Sequence, residues 1–320
     1  MKEKPAETPE EIRAPPYLWL LDPQALAKLQ KLEFLARSVM KGFVTGKHRS
    51  PYRGFSVEFA EHREYSPGDD LRKLDWRVYA KSDRYYIKQY MEETNLRATI
   101  VLDASGSMAY TGDKAAPRKG KRLSKFDYAR YMAASLLHLL IHQQDAVGLV
   151  SFDTQIRGYL PSRGRASHLR VLLEELHNTE PGGETSIAPV LHDVAERIKR
   201  RGLVIIISDL FDDPNEILKA LHHFRFRKHE VVLMHVMAEE ELQFPFEKWT
   251  MFEDFEVADH RLQIDPRALK AAYLDEVRNF VKILHKGCGE MQIEYVQFNT
   301  AKDFDLTLLE YLAQRMRRGQ

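Results

Sequence analysis

Two short β-branched runs, Ala98–Leu102 and Leu203–Ser208, each lead straight into an aspartate, Asp103 and Asp209. Apolar runs of this length read as buried strands. A carboxylate at the end of such a strand lies where open α/β sheets bind their ligands, at the carboxyl edge. From Arg97 onward strands alternate with one-sided helices. Helices are expected over Lys125–His142 (Tyr128, Met132, Leu136, Leu139 and Leu140 on one side), Ala166–His177, Ile187–Arg200, Pro214–Phe224, from Asp265-Pro266 to about His285, and over Asp303–Arg317. The further strands are Asp145–Phe152 with Gln155–Leu160 as its hairpin partner, Glu230–Val236 and Met291–Phe298, while Ala238–Gln263 reads as a long connection. This alternation specifies an α/β fold.

The part before Arg97 is different. Residues 1–16 are rich in Pro and Glu and are expected to be a disordered tail. Tyr17–Leu21 is a short apolar segment that needs a surface to dock on. Asp22-Pro23 then gives a helix start, with a capping side chain before a proline, and Leu26, Leu29, Leu32, Leu35 and Val39 form its apolar stripe. Gly46 to Glu93 shows little clean periodicity apart from an alternating run over Tyr85–Met91. Its mixture of Arg, Asp and aromatic residues suggests an ion-paired structural collar of helical and β character. The expected division is therefore 1–16 tail, 17–95 N-terminal region and 96–320 α/β domain.

Composition narrows the function classes. Lys plus Arg number 48 and Asp plus Glu 47, a net charge of +1 that argues against bulk nucleic-acid binding. A single cysteine, Cys288, excludes an internal disulfide framework and fits a reducing compartment. No apolar stretch approaches the roughly 20 residues of a membrane span, and the charged N-terminus has no signal-peptide core, so a cytoplasmic location is expected.

The chemistry concentrates in three segments. Asp103-Ala-Ser105-Gly-Ser107 follows the first strand, Gly182-Gly183-Glu184-Thr185-Ser186 lies in a loop, and Asp209 ends a later strand. All the donors are oxygens, which suits a hard divalent cation, Mg²⁺ first, with Mn²⁺ or Ca²⁺ as alternatives. Two aspartates would roughly cancel such a cation and leave a neutral site able to accept a further carboxylate. The same residue types also make ordinary turns and caps. Other features are plainer. His138 and His142 have zinc-compatible spacing but no third ligand nearby in sequence; they and His62, His222 and His223 are read as core or solvated residues. Lys114, Arg118, Lys119, Lys121 and Arg122 form a basic loop that should border the site, read as solvated. The chain has no Gly-x-Ser-x-Gly elbow and no Walker A pattern.

The order Asp-x-Ser-x-Ser, Gly-Gly-x-Thr, Ser-Asp resembles that of a von Willebrand factor A domain with its metal-ion-dependent adhesion site. The resemblance implies a three-layer, doubly wound, mostly parallel sheet, with Asp103, Ser105, Ser107, Thr185 and Asp209 around Mg²⁺ and a partner's acid completing the shell. Glu184 between Gly183 and Thr185 shifts the loop's register, which makes Ser186 a fallback ligand. Upstream, Glu58-Phe59, Arg63-Glu64-Tyr65, Pro67-Gly68-Asp69-Asp70, Arg72, Asp75-Trp76 and Glu92-Glu93 resemble the signature of a bacterial family of unknown function, number 58. That resemblance implies a non-enzymatic adaptor or co-chaperone for a MoxR-type AAA+ ATPase, gripping an acidic client. A metal-dependent hydrolase of phosphoesters is the alternative.

Overall fold

The computed structural model describes residues 15–31, 57–64, 74–82, 84–92, 96–183, 187–253 and 261–318. The expected tail up to residue 14, the apolar stripe beyond Lys31, and Glu184, Thr185 and Ser186 lie outside the described residues.

A short 3-10 helix, Pro16–Leu20, precedes α1 (Pro23–Lys31). Two strands follow, β1 (Val57–Glu64) and β2 (Tyr86–Glu92), paired antiparallel from Val57↔Glu92 to Glu64↔Tyr86, with α2 (Trp76–Ser82) between them in sequence. β2 matches the alternating run of the sequence. β1 does not announce itself, because its sequence, VEFAEHRE, is mostly polar and its pairing shifts register between Phe59 and Glu61.

The α/β core is a six-stranded sheet. It comprises β3 (Arg97–Asp103), β6 (Ala146–Phe152), β7 (Ile156–Arg163), β8 (Leu203–Ser208), β9 (Glu230–Met237) and β12 (Glu294–Asn299). The spatial order is β12-β9-β8-β3-β6-β7, parallel throughout except for the edge strand β7. Central strands buried on both faces are apolar at nearly every position, as β8, with all its residues buried, shows. Alternate side chains feed two cores. Ile100 and Leu102 pack on one face with α3 (Lys125–His142), α4 (His168–Asn178) and α9 (Phe304–Arg318). Val101 packs on the other with α5 (Ile187–Arg197), α6 (Pro214–Phe226) and α8 (Pro266–Glu290). This is the expected three-layer architecture.

Three details depart from the sequence reading. The basic loop holds a two-residue ladder, β4 (Pro117–Arg118) with β5 (Lys121–Arg122), turned by Lys119 and Gly120 at φ 50° and 78°. The long connection contains α7 (Glu239–Gln243) and a hairpin of β10 (Thr250–Glu253) with β11 (Arg261–Ile264). α8 runs past His285 to Glu290, because Leu284 and Cys288 continue its buried face.

The segment around residues 16–31 is built into the core. Leu20, Ala25 and Leu29 are buried among the side chains of α3 and α9. Trp19 Nε1–H donates to His177 Nδ1 at 3.0 Å, and its ring meets Tyr131 edge-on at 5.4 Å. Arg118 donates through Nε to Asp22 at 2.8 Å and through Nη2 to Asp305 at 3.4 Å, and it lies 4.9 Å over the ring of Phe304. Of the basic-loop residues, Arg118 is therefore a structural tie rather than a solvated charge.

Candidate functional site

The site forms where the winding of the sheet reverses. β3 is followed by α3 on one face, and its neighbour β8 by α6 on the other. The carboxyl ends of β3 and β8 therefore diverge into a crevice, the usual ligand position in such sheets. Asp103 is the last residue of β3, and Asp209 follows the last residue of β8.

Local sequence dictates the turn after β3. Asp103 Oδ1 accepts the backbone N–H of Ser105 at 2.9 Å, and Oδ2 accepts the Ser208 hydroxyl at 2.5 Å. The Ser208 Oγ in turn accepts Leu210 N–H at 2.8 Å. The Ser105 and Ser107 hydroxyls face each other at 3.1 Å, Ser105 fully buried and Ser107 partly open. The glycine loop is laced to this turn: Gly106 N–H donates to Gly183 O and Gly182 N–H to Ala104 O, both at 2.9 Å. Gly183 lies at φ 83°, which disfavours a side chain there. Beyond the loop, Ile187 and Ala188 N–H groups donate to Asp212 Oδ2 at 3.1 and 3.3 Å. The structure thus brings Asp103, Ser105, Ser107 and Asp209 together and ties down the segments flanking Thr185.

Lys125, Ser208 and His235, with the partners Glu241 and Tyr295, were not singled out in the sequence. Lys125 opens α3 with only 3% of its side chain exposed; its Nζ donates to Asp209 Oδ2 and to Glu241 Oε1, each at 2.7 Å. A lysine in the first turn of a helix opposes the helix dipole. The two carboxylates account for its presence, and they push its ammonium pKa up against the effect of burial. Ser208 holds Asp103, as above. His235 holds the backbone of Asp209: its Nε2 lies 2.9 Å from Asp209 O and its Nδ1 2.6 Å from Tyr295 Oη. A carbonyl only accepts, so Nε2 carries the proton and Tyr295 donates to Nδ1. Burial lowers the His235 pKa to about 4, which keeps the ring neutral at pH 7.

Electrostatically the crevice is acidic. Burial, and then the charge of Asp209, push Asp103 up to about 7. Lys125 answers both Asp209 and Glu241, which leaves that trio one negative charge in excess, and ionisation of Asp103 adds a second. Asp209 Oδ1 is buried with no hydrogen-bond partner among the described residues. An unpartnered carboxylate oxygen, two adjacent hydroxyls and this anionic excess fit a hard divalent cation. Among the described residues no group of three or more His, Cys, Asp or Glu side chains forms a metal site on its own, so the hydroxyls are indispensable to that fit.

The turn after Asp209 is strained. Leu210 is buried yet adopts φ 56°, a left-handed conformation that costs a branched residue about 1–2 kcal/mol. It presents Phe211 to solvent with 69% of that residue exposed, at the rim of the crevice. The rings of His138 and His142 lie 3.9 Å apart, tilted by 34°, and His223 shares a 3.1 Å contact with His192.

The family profile described as "Protein of unknown function DUF58" matches residues 61–280. The chain belongs to the DUF58 family. Among its relatives in that family's range, uncharacterized proteins of Mycobacterium bovis and Mycobacterium tuberculosis are 26% identical over 309 residues, covering 93% of this chain and 92% of theirs. Solved structures similar to this DUF58 chain include BatB from Bacteroides thetaiotaomicron, 16% identical with a TM-score of 0.45, over 70% of this chain and 99% of that one. They also include the SpRpn10 VWA domain, 10% identical with a TM-score of 0.39, over 68% and 95%. No helix among the described residues is long and apolar enough to cross a membrane.

Proposed function

We propose that this DUF58 protein is a cytoplasmic, non-enzymatic interaction module that docks an acidic side chain of a protein partner at the β3/β8 crevice. Ser105 and Ser107 would hold a Mg²⁺ ion with Thr185, and Asp103 and Asp209 would balance its charge; when bound, the ion supplies an open Lewis-acidic position for the partner's carboxylate. The observation that carries this reading is the buried Asp209 Oδ1, unpartnered among the described residues, together with the paired Ser105 and Ser107 hydroxyls. Phe211 supports a macromolecular partner, since aromatic residues, Phe among them, are enriched at the core of protein interfaces. The carboxylates are already engaged, Asp103 by Ser105 and Ser208 and Asp209 by Lys125, which favours docking over general-base hydrolysis.

The resemblance that implies a MoxR-type AAA+ ATPase makes that protein the partner to test. Affinity purification with Mg²⁺ should retain the ATPase, and EDTA or Asp103→Ala should release it. Phe211→Ser, at an exposed position, should weaken capture while changing stability by less than about 0.5 kcal/mol. Retention that survives both EDTA and Asp103→Ala would sink the metal-dependent reading. Phosphoester turnover lost in Asp103→Ala would revive the hydrolase.

A further inference from the structure

At the opposite end of β3 lies a cavity of about 350 Å³. Arg97 and Thr99 at the start of β3 form its floor with Leu203 of β8; Tyr159–Ser162 of β7, Arg197 at the end of α5, and Ile198–Arg200 with Gly202 beyond it form its walls. Arg97 and Asp103 bound the same strand, so the two places are separated by roughly 20 Å at the rise of a parallel strand.

Four cations line this cavity, Arg97, Arg197, Lys199 and Arg200, and no carboxylate does. None of the four has an ion-pair partner among the described residues, whereas the adjacent Arg201 reaches Glu230 at 3.6 Å. In a chain of net charge +1, this local excess comes from placement and not from composition. Part of it answers the carboxyl end of α5, but a helix end carries only about half a negative charge. The remainder is uncompensated, and low-dielectric walls concentrate the field of such a cluster inside a concavity.

The walls are fixed without help from the cations. Tyr159 Oη–H donates to Arg197 O at 3.2 Å, and Gly202 O accepts Glu230 N–H at 3.0 Å. Gly202 approaches β3 so closely that a Cβ there would lie 2.3 Å from Arg97 O. Three of the four charged residues, Arg197, Lys199 and Arg200, are exposed, and Arg97 is half-buried.

We propose that this cavity binds a small multivalent anion carrying adjacent phosphoryl groups. Guanidinium forks match phosphate oxygens in bidentate fashion, and Thr99 and Ser162 add hydroxyls around the same space. A half-open concavity at the lower end of the size range for small-molecule sites favours a compact ligand over a polymer, which needs an extended track.

Isothermal titration with inorganic tripolyphosphate, in EDTA and at low ionic strength, tests this independently of any metal at the other crevice. The parent protein should show saturable binding, and Arg197→Gln with Arg200→Gln should weaken it by about tenfold or more. A control pair of exposed positions with the same charge change, Lys219→Gln with Arg278→Gln, should leave it within about twofold. Absence of saturable binding, or equal loss in both pairs, overturns the site. Binding of a short oligonucleotide that tripolyphosphate does not displace overturns the assignment to a small ligand.

Discussion

Replacing Lys125 by methionine keeps the side chain's length and removes its charge, which makes it the sharpest probe of the crevice. The lysine is 97% withdrawn from solvent as judged by its 3% exposure, and so is the Asp209 carboxylate it holds at 2.7 Å. Removing one partner of a buried pair costs about 3–5 kcal/mol, because the other charge stays behind in a medium that solvates it poorly. Glu241 is 27% exposed and can turn to water, so it adds little. Asp209 cannot turn away, since His235 holds its backbone and Asp103 lies beside it. A loss of about 4 kcal/mol would lower the melting temperature by roughly 10 °C in a domain of this size. Thermal unfolding of Lys125→Met, with and without Mg²⁺, is the assay. The variant should recover more stability from Mg²⁺ than the parent does, and Lys125→Met with Asp209→Asn should be less destabilised than Lys125→Met alone. A loss below about 1 kcal/mol, or a double variant worse than the sum of its parts, would refute the argument that Lys125 is held by charge.

Three further outcomes are expected. His235, depressed to about 4 from 6.5, makes the unfolded chain the better proton acceptor between those values, so it lowers stability as pH falls through that window. Asp103, raised to about 7 from 3.8, does the reverse: the folded chain keeps its proton longer, and stability falls as pH rises between those values. Asp103→Asn removes the second slope, so its unfolding free energy from urea titrations should rise between pH 4 and 6.5 by roughly 3 kcal/mol relative to the parent, and a parallel profile would refute the assignment. Cys288 is fully buried, and burial pushes its thiol up to about 12; a disulfide reagent at pH 8 should leave it untouched until the protein is unfolded. Gly202→Ala should cost about 1–3 kcal/mol by urea denaturation, because the new methyl meets the backbone oxygen of Arg97 at 2.3 Å; an unchanged midpoint would show that this approach is not so close.

The parts of this architecture that sequence discloses are those governed by neighbours in the chain. β3 and β8 show as apolar runs because both their faces are buried, and Asp103 and Asp209 show because they stop those runs. Asp213 and Asp265 announce α6 and α8 as caps ahead of a proline. What stays hidden is decided by distant partners. Lys125 looks like an ordinary first residue of a helix until β8 and α7 supply Asp209 and Glu241. Ser208 passes for the last residue of a strand, although its hydroxyl fixes Asp103 from 105 positions away. His235 is lost in an apolar strand, and Arg118 is indistinguishable from its exposed neighbours before Asp22 and Asp305 are brought to it.

Arg118 also bears on how the chain can be cut. It bonds Asp22, just before α1, and Asp305, in the first turn of α9, while Lys28 reaches the same Asp305 at 2.8 Å. Segments nearly three hundred positions apart in sequence are thereby clasped over one patch of the sheet. A fragment begun at β3 would leave Asp305 without Lys28 and Arg118 without Asp22, and open the seats of Leu20, Ala25 and Leu29 to water. Such a fragment would be sticky and poorly folded, so a faithful excision must carry residues 16–31 along, whether at their native place or grafted behind α9 by circular permutation.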